Sequence, residues 1–440
     1  MRILILSRSP WDDTNSLGNT LSNLFSSISS EKIAHLYLRS TNPSNNVCTK
    51  YFRINDKDVL MTLFRRNLDI GTYFEIQQNK SNLEHVLDTK TDEKLYSFFR
   101  NKGSKIALFG QELLWHLGRW NSELLNNFLN EFKPDVIFAP AFSTPYVHRL
   151  LWYIKEEVGV KIVLFHADDY LSTNKSKGLI DSVYNKMRFK AIIKSTNLAD
   201  INYCISTLQQ EEYQKKIGKE MKLLHKGANF SNQPDYSLPK EDEPIKIIYV
   251  GSVLYGRWKT LSILAEEISK INKVKNKFVL VIYSQYTLTK EMKEKMIIEG
   301  ASIFKGKIPS NQVKDTLMSG DVVLHLESFD DVEKEKTRLS FSTKIVDCLN
   351  SGRALMAIGW DRAASIDYLI KNDAALVATD ADNISNLLNE IQLNSNILKE
   401  YADKAWSCGK RNHQIYEIQN NLYQDLSSLV KEVKNESIAD

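Results

Sequence analysis

Short runs rich in β-branched residues alternate with longer amphipathic stretches along this chain, and the alternation occurs in two successive series. That rhythm admits few folds. An apolar run of four to six residues has too few polar positions for a half-exposed strand, and the amphipathic stretch after it has one face to hide. Repeated in series, the two satisfy each other as a parallel sheet covered by helices. The first series predicts strands at 2–7, 33–38, 136–139, 161–166 and 201–205, with another through Leu223 and Leu224. Its helices are expected around 20–27, 111–131, 146–157, 179–195 and 208–215.

The series then breaks. Residues 232–244 (NQPDYSLPKEDEP) hold three prolines and four acidic residues, the composition of a linker. Directly after it, IKIIYVGSVLYGRWKTLSILAEEI reads as a strand, a turn and the start of a helix. Further strands are expected at 278–283, 302–304, 322–326, 354–358 and 375–377. The chain therefore divides into an N-terminal domain over 1–235 and a C-terminal domain over 245–412. A long final helix over 396–433, interrupted near 408–412, returns its last part (about 413–440) to the first domain. The expected class is α/β, two Rossmann-like doubly wound domains facing across a cleft, with ligands at the carboxyl ends of the strands.

Composition narrows the function. At 440 residues the chain exceeds what one core usually supports. Its 58 basic and 54 acidic side chains are too evenly matched for a dedicated nucleic-acid binder, although a net +4 suits an anionic ligand. The four cysteines (Cys48, Cys204, Cys348, Cys408) lack paired spacing, so neither a disulfide framework nor a zinc knuckle is expected. The start, MRILILSRSPWDD, lacks the apolar core of a signal peptide, and no segment reaches the roughly 20 apolar residues of a membrane span. A cytoplasmic protein is expected.

The segment RLSFSTKIVDCLNSGRALMAIG (338–359) carries the most chemistry. A helix starting near Ser342 or Thr343, capped by either, places Lys344 in its first turn and Asp347 one turn on. Gly352 ends it. A helix N-terminus beside a lysine attracts a diphosphate, and a carboxylate just beyond can accept from ribose hydroxyls. A plain capped surface helix would read the same way. In YVGSVLYGRWKTL (249–261), Gly251 ends a strand, Gly256 sits in the turn, and Arg257 and Lys259 precede a helix; two cations there can neutralise a phosphate dianion. In VLFHADDYL, His166 ends a buried strand and Asp168 and Asp169 follow it. Gly18 and Asn19 are expected in the loop between the first strand and first helix.

The run STKIVDCLNSGRALMAIG resembles the donor-site segment of GT-B-fold retaining glycosyltransferases of family four, with its Lys-x-x-acid and Ser-Gly-(Lys/Arg) pattern. The loop holding Arg257 and Lys259 resembles the same family's diphosphate clamp, at shorter spacing. The resemblance implies transfer of a sugar from a nucleotide-sugar donor to a glycan or lipid-linked acceptor, with retention, without a metal or other cofactor, in surface polysaccharide synthesis. Lys344, Arg257, Lys259 and Gly18 would meet the diphosphate, Asp347 the ribose, and Lys307 and Ile308 of FKGKIPSNQV the base. His166 would lie near the transferred sugar, with Asp168 beside it, and Lys226 of LLHKGANF would contact acceptor or phosphate. The chain departs from the family where many members carry two glutamates eight positions apart: Leu339 stands at the first and Asp347 at the second. Glu327 is the stand-in for the missing sugar-facing carboxylate; a solvated loop carboxylate is the plainer reading. Two alternatives stay open, a nucleotide-sugar epimerase and a non-catalytic subunit that activates a partner. The basic helix VYNKMRFKAIIKSTN would suit peripheral contact with the inner face of the cell membrane, or would simply leave its lysines in water.

Overall fold

The computed structural model describes residues 1–76, 105–172 and 178–439. The chain forms two compact units. The first comprises Met1–Ile205, Gln210–Leu224 and Gln419–Asp440; the second comprises Ser206–Gln209 and His225–Ile418.

In the first unit the strands are β1 (Ile3–Ser7), β2 (Ile33–Tyr37), β3 (Lys50–Arg53), β4 (Thr72–Glu75), β5 (Val136–Pro140), β6 (Lys161–His166), β7 (Ile201–Cys204) and β8 (Lys222–Leu223). They form one sheet in the order β4-β3-β2-β1-β5-β6-β7-β8. Every described pairing is parallel except β3 with β4. The second unit contributes β9 (Ile245–Val250), β10 (Phe278–Tyr283), β11 (Ser302–Gly306), β12 (Val322–Leu326), β13 (Ala354–Ile358) and β14 (Leu376–Ala378). Its sheet runs β11-β10-β9-β12-β13-β14, parallel throughout. Each is a doubly wound α/β domain.

The apolar runs are continuous because these strands are covered on both faces. All five residues of β1, β5, β12 and β13 are buried. In the first core, Leu4, Leu36, Ile137 and Leu164 of the sheet meet Leu129, Leu150 and Ile154 of the helices. In the second, Ile247, Leu280, Leu324 and Met356 meet Leu261, Leu264, Ile268 and Leu398. Each such side chain contributes roughly 1.5–3 kcal/mol by leaving water.

Three sequence-based expectations change. The helix over 111–131 is two, Lys105–Leu117 and Glu123–Phe132. A side chain at Gly118 would press on Val59, its Cβ 2.4 Å from Val59 Cγ1, and the Ser122 hydroxyl caps the second helix by accepting from Leu125 N–H at 3.1 Å. The break in the final helix falls at His413–Gln414, between Asn396–Asn412 and Ile415–Ala439. There the backbone pairs sideways: Ala228 N–H donates to His413 O (2.9 Å) and Ile415 N–H to Ala228 O (3.0 Å). Strands β3 and β4 were not anticipated. β4 is the edge strand and β3 lies between it and β2; both carry charged residues, and β4 alternates half-buried with exposed positions.

Candidate functional site

Doubly wound sheets bind ligands where the strand order reverses. In the second unit that point lies between β9 and β12, and the chain leaving those two strands supplies the candidate residues. From β9 the loop reaches Gly256, which caps the helix Arg257–Asn272 at φ 72°. A side chain there would place Cβ 2.2 Å from Ser328 Oγ, so the loop rests against the chain leaving β12. That contact sets Arg257, the first helical residue, beside Glu327.

Arg257 Nε donates to Leu326 O (3.2 Å), and Nη2 donates to Glu327 Oε1 (2.9 Å) and Oε2 (2.8 Å). The Glu327 side chain is only 3 % exposed. Burial pushes its carboxyl above the ordinary range while the guanidinium pulls it down. His325, buried on β12, has Nε2 at 3.7 Å from Glu327 Oε1. Its pKa falls to about 3, through burial first and then through the charges of Arg257 and Lys344.

Lys344 opens the short helix Lys344–Leu349, with Thr343 at the cap position. Neither Thr343 nor Ser342 caps it through a side chain: Thr343 has helical dihedrals and makes no cap hydrogen bond, while the Ser342 carbonyl accepts from Ile345 N–H at 3.0 Å. Solvent reaches Lys344, yet the surrounding protein and then the Arg257 charge hold its ammonium below the usual lysine pKa. It makes no ion pair with a described residue. The Arg257 charge thus reaches Lys344, and both charges act on His325.

Lys259 takes a different direction. It pairs with Asp330 at 2.8 Å and is 53 % exposed. Asp347 accepts from Lys226 Nζ at 3.0 Å, and Lys226 is also among the charges that depress Lys344. Sequence spacing gave Lys226 only a loose role, because nothing in LLHKGANF shows that its turn meets a helix more than a hundred positions later. Lys307 and Ile308 lie in the turn after β11, where Ser284 N–H donates to Gly306 O (2.9 Å).

In the first unit, His166 is the last residue of β6 and 1 % exposed. Its Nε2 has no hydrogen-bond partner among the described residues, its ring meets Tyr213 edge-on at 5.2 Å, and burial lowers its pKa to about 3. Asp168 accepts from Tyr170 Oη at 3.1 Å, and crowding by protein raises its carboxyl pKa. Gly18 and Asn19 lie in the first turn of the helix Ser16–Phe25, not in the loop before it. Gly18 N–H donates to the capping Asn15 Oδ1 (2.8 Å), and a Cβ there would stand 2.0 Å from Asp12 O. Close approach of helix to loop is what the glycine permits.

Solved structures resemble this pair of domains. HepE from Anabaena in complex with UDP matches with a TM-score of 0.62 and 11 % identity, over 97 % of this chain and 100 % of that one. The chain has the GT-B fold. Sucrose-phosphate synthase from Thermosynechococcus elongatus matches at 0.59 and 12 %, over 98 % and 100 % of the two chains. WaaG, a glycosyltransferase involved in lipopolysaccharide biosynthesis, matches at 0.55 and 12 %, over 96 % and 99 %. No protein-family model matches the sequence, and no curated protein does.

Proposed function

We propose that this protein is a glycosyltransferase that moves a sugar from a nucleoside-diphosphate donor to a glycan or lipid-linked acceptor in surface polysaccharide synthesis. The observation that carries the reading is the convergence of Arg257 and Lys344 at the strand-order reversal of the second sheet. A permanently charged guanidinium and a partly desolvated ammonium suit a pyrophosphate, each charge-assisted hydrogen bond contributing about 1.5–3 kcal/mol. The fold shared with UDP-bound HepE supports the same reading.

In this mechanism Arg257 and Lys344 stabilise the leaving diphosphate in place of a divalent metal, with Lys259 at the rim. Asp347 accepts from the ribose, and the turn at Lys307 and Ile308 meets the base. Gly18, His166 and Asp168 of the first unit serve the sugar and acceptor side. His166 is neutral at physiological pH, so it acts there as a hydrogen-bonding group rather than a cation. The anomeric configuration is retained, and the departing phosphate oxygen takes the acceptor's proton.

A lipid-linked acceptor is supported by the helix Leu179–Leu198. Leu179 (82 % exposed), Ile180 and Val183 stand in solvent at its start, followed by exposed Lys186 and Lys190. Apolar tips with lysines behind them suit an anionic lipid surface. No described helix is long and apolar enough to cross a membrane.

Thermal-shift measurements against a panel of nucleotide sugars test the reading. A true donor at a hundred times its Kd adds about 2.7 kcal/mol to the folded state and raises the melting point. A folded protein that none of them stabilises is not a transferase of this kind.

A further inference from the structure

Glu327 was expected to face the sugar, and its surroundings argue for a different task. Both carboxylate oxygens accept from Arg257 Nη2, and Ser365 Oγ lies 3.5 Å from Oε1. Its backbone is fixed as well: N–H donates to Ile358 O (2.8 Å), and the carbonyl accepts from Thr260 Oγ1 (3.0 Å). A Cβ on Gly359 would come within 2.9 Å of Glu327 Cβ, so the neighbouring chain packs directly against it. A carboxylate 3 % exposed, with both oxygens engaged, has no face left for a sugar hydroxyl.

Its partner is differently placed. Arg257 keeps 17 % of its side chain exposed. Nε is held by Leu326 O and Nη2 by Glu327, while Nη1 makes no hydrogen bond with a described residue. Two of the three nitrogens of a planar fork are anchored, and the third keeps its donors free of any described residue. A guanidinium fixed in this way loses little rotamer freedom when it binds an anion.

We propose that Glu327 is a positioning residue, which locks the Arg257 guanidinium so that Nη1 is presented to the donor diphosphate, and that it does not itself touch the sugar. This rests on reading the site as a nucleoside-diphosphate clamp. The carboxylate also keeps the buried part of the guanidinium electrically compensated, so the arginine stands there without an unpaired buried charge.

The test is calorimetric titration of the full-length chain with UDP and, separately, with inorganic pyrophosphate, in a double-mutant cycle. Glu327→Gln removes the charge and puts an amide against Nη2. It should weaken both ligands by at least about tenfold. In an Arg257→Ala background the same substitution should cost almost nothing more, because the group it positions is gone. Glu327→Asp keeps the charge, shortens the reach, and serves if the glutamine variant does not fold; it should give an intermediate loss that also vanishes with Arg257→Ala. Full additivity, unchanged affinity, or tighter binding in Glu327→Gln would each overturn the proposal, the last by showing that Glu327 competes with the ligand. If the wild-type chain binds neither UDP nor pyrophosphate, the clamp reading fails first.

Discussion

The two sheets reverse their strand order in the same way, yet they surround the reversal with different chemistry. Between β9 and β12 the second unit gathers Arg257, Lys344 and Lys226, answered by the buried Glu327 and the half-buried Asp347. Near the corresponding end of the first sheet stand a neutral histidine, His166, the carboxyl of Asp168 and the hydroxyl of Tyr170. The arginine that follows β1, Arg8, donates to Gln111 Oε1 (3.3 Å). Sheet topology fixes where a ligand can bind; the loops fix which charge it carries. The difference can be broken at named residues.

Arg257→Ala should do most damage, since it removes a clamp cation and strands a buried carboxylate. Losing one partner of a buried pair costs about 3–5 kcal/mol, which urea denaturation would read directly. Lys344→Ala comes next. Transfer should fall about a hundredfold or more, the range for losing one preorganised charge at a leaving group. Its stability should stay within about 1 kcal/mol of wild type, because the lysine holds no ion pair with a described residue. Equal unfolding free energies for the two variants would remove the distinction between an anchored and an unanchored cation.

The same contrast governs what the sequence disclosed. Most second-unit strands are readable because they are short apolar runs followed by helices, and β12 and β13 match their expected limits. In the first unit β3 and β4 escape notice. KYFR and the edge strand TYFE are four residues each and carry charged side chains, so nothing local separates them from loop. The reading of Arg257 and Lys344 as phosphate-binding is the proposal made above; as cations at helix starts they were legible. Their pairing was not, because Arg257 and Glu327 meet only through the register of β9 beside β12, which sequence spacing does not encode. Glu327 therefore looked like a catalytic carboxylate when its environment is that of an arginine's counter-ion.

A smaller effect, common to the two units, depends on pH. Burial lowers His35, His148 and His166 in the first unit to about 3, 4 and 3, and His325 and His413 in the second to about 3 each. A depressed folded-state pKa means the unfolded chain takes the proton first, so stability is complete above about pH 6.5 and falls as pH drops below it. Each histidine then costs about 1.4 kcal/mol per pH unit until its folded value is reached. Both units carry such histidines, so both should lose stability as pH falls. Hydrogen exchange followed from pH 7.5 to 5.5 would read the loss in each unit, and a flat profile in either would mean that other groups dominate.

The smallest change should come from Lys259→Ala. Two positions after Arg257, its side chain is turned by about 200° around the helix, away from the guanidinium. It meets Asp330 in water, where such pairs contribute little and salt screens them over about 8 Å. The melting temperature should not move. UDP affinity should fall by less than about threefold, with most of the change in the association rate and most of it lost in high salt, the behaviour of a rim charge. A loss as large as that of Lys344→Ala would give a different picture. Lys259 would then have to leave Asp330 when the ligand arrives, and would join Arg257 and Lys344 in holding it.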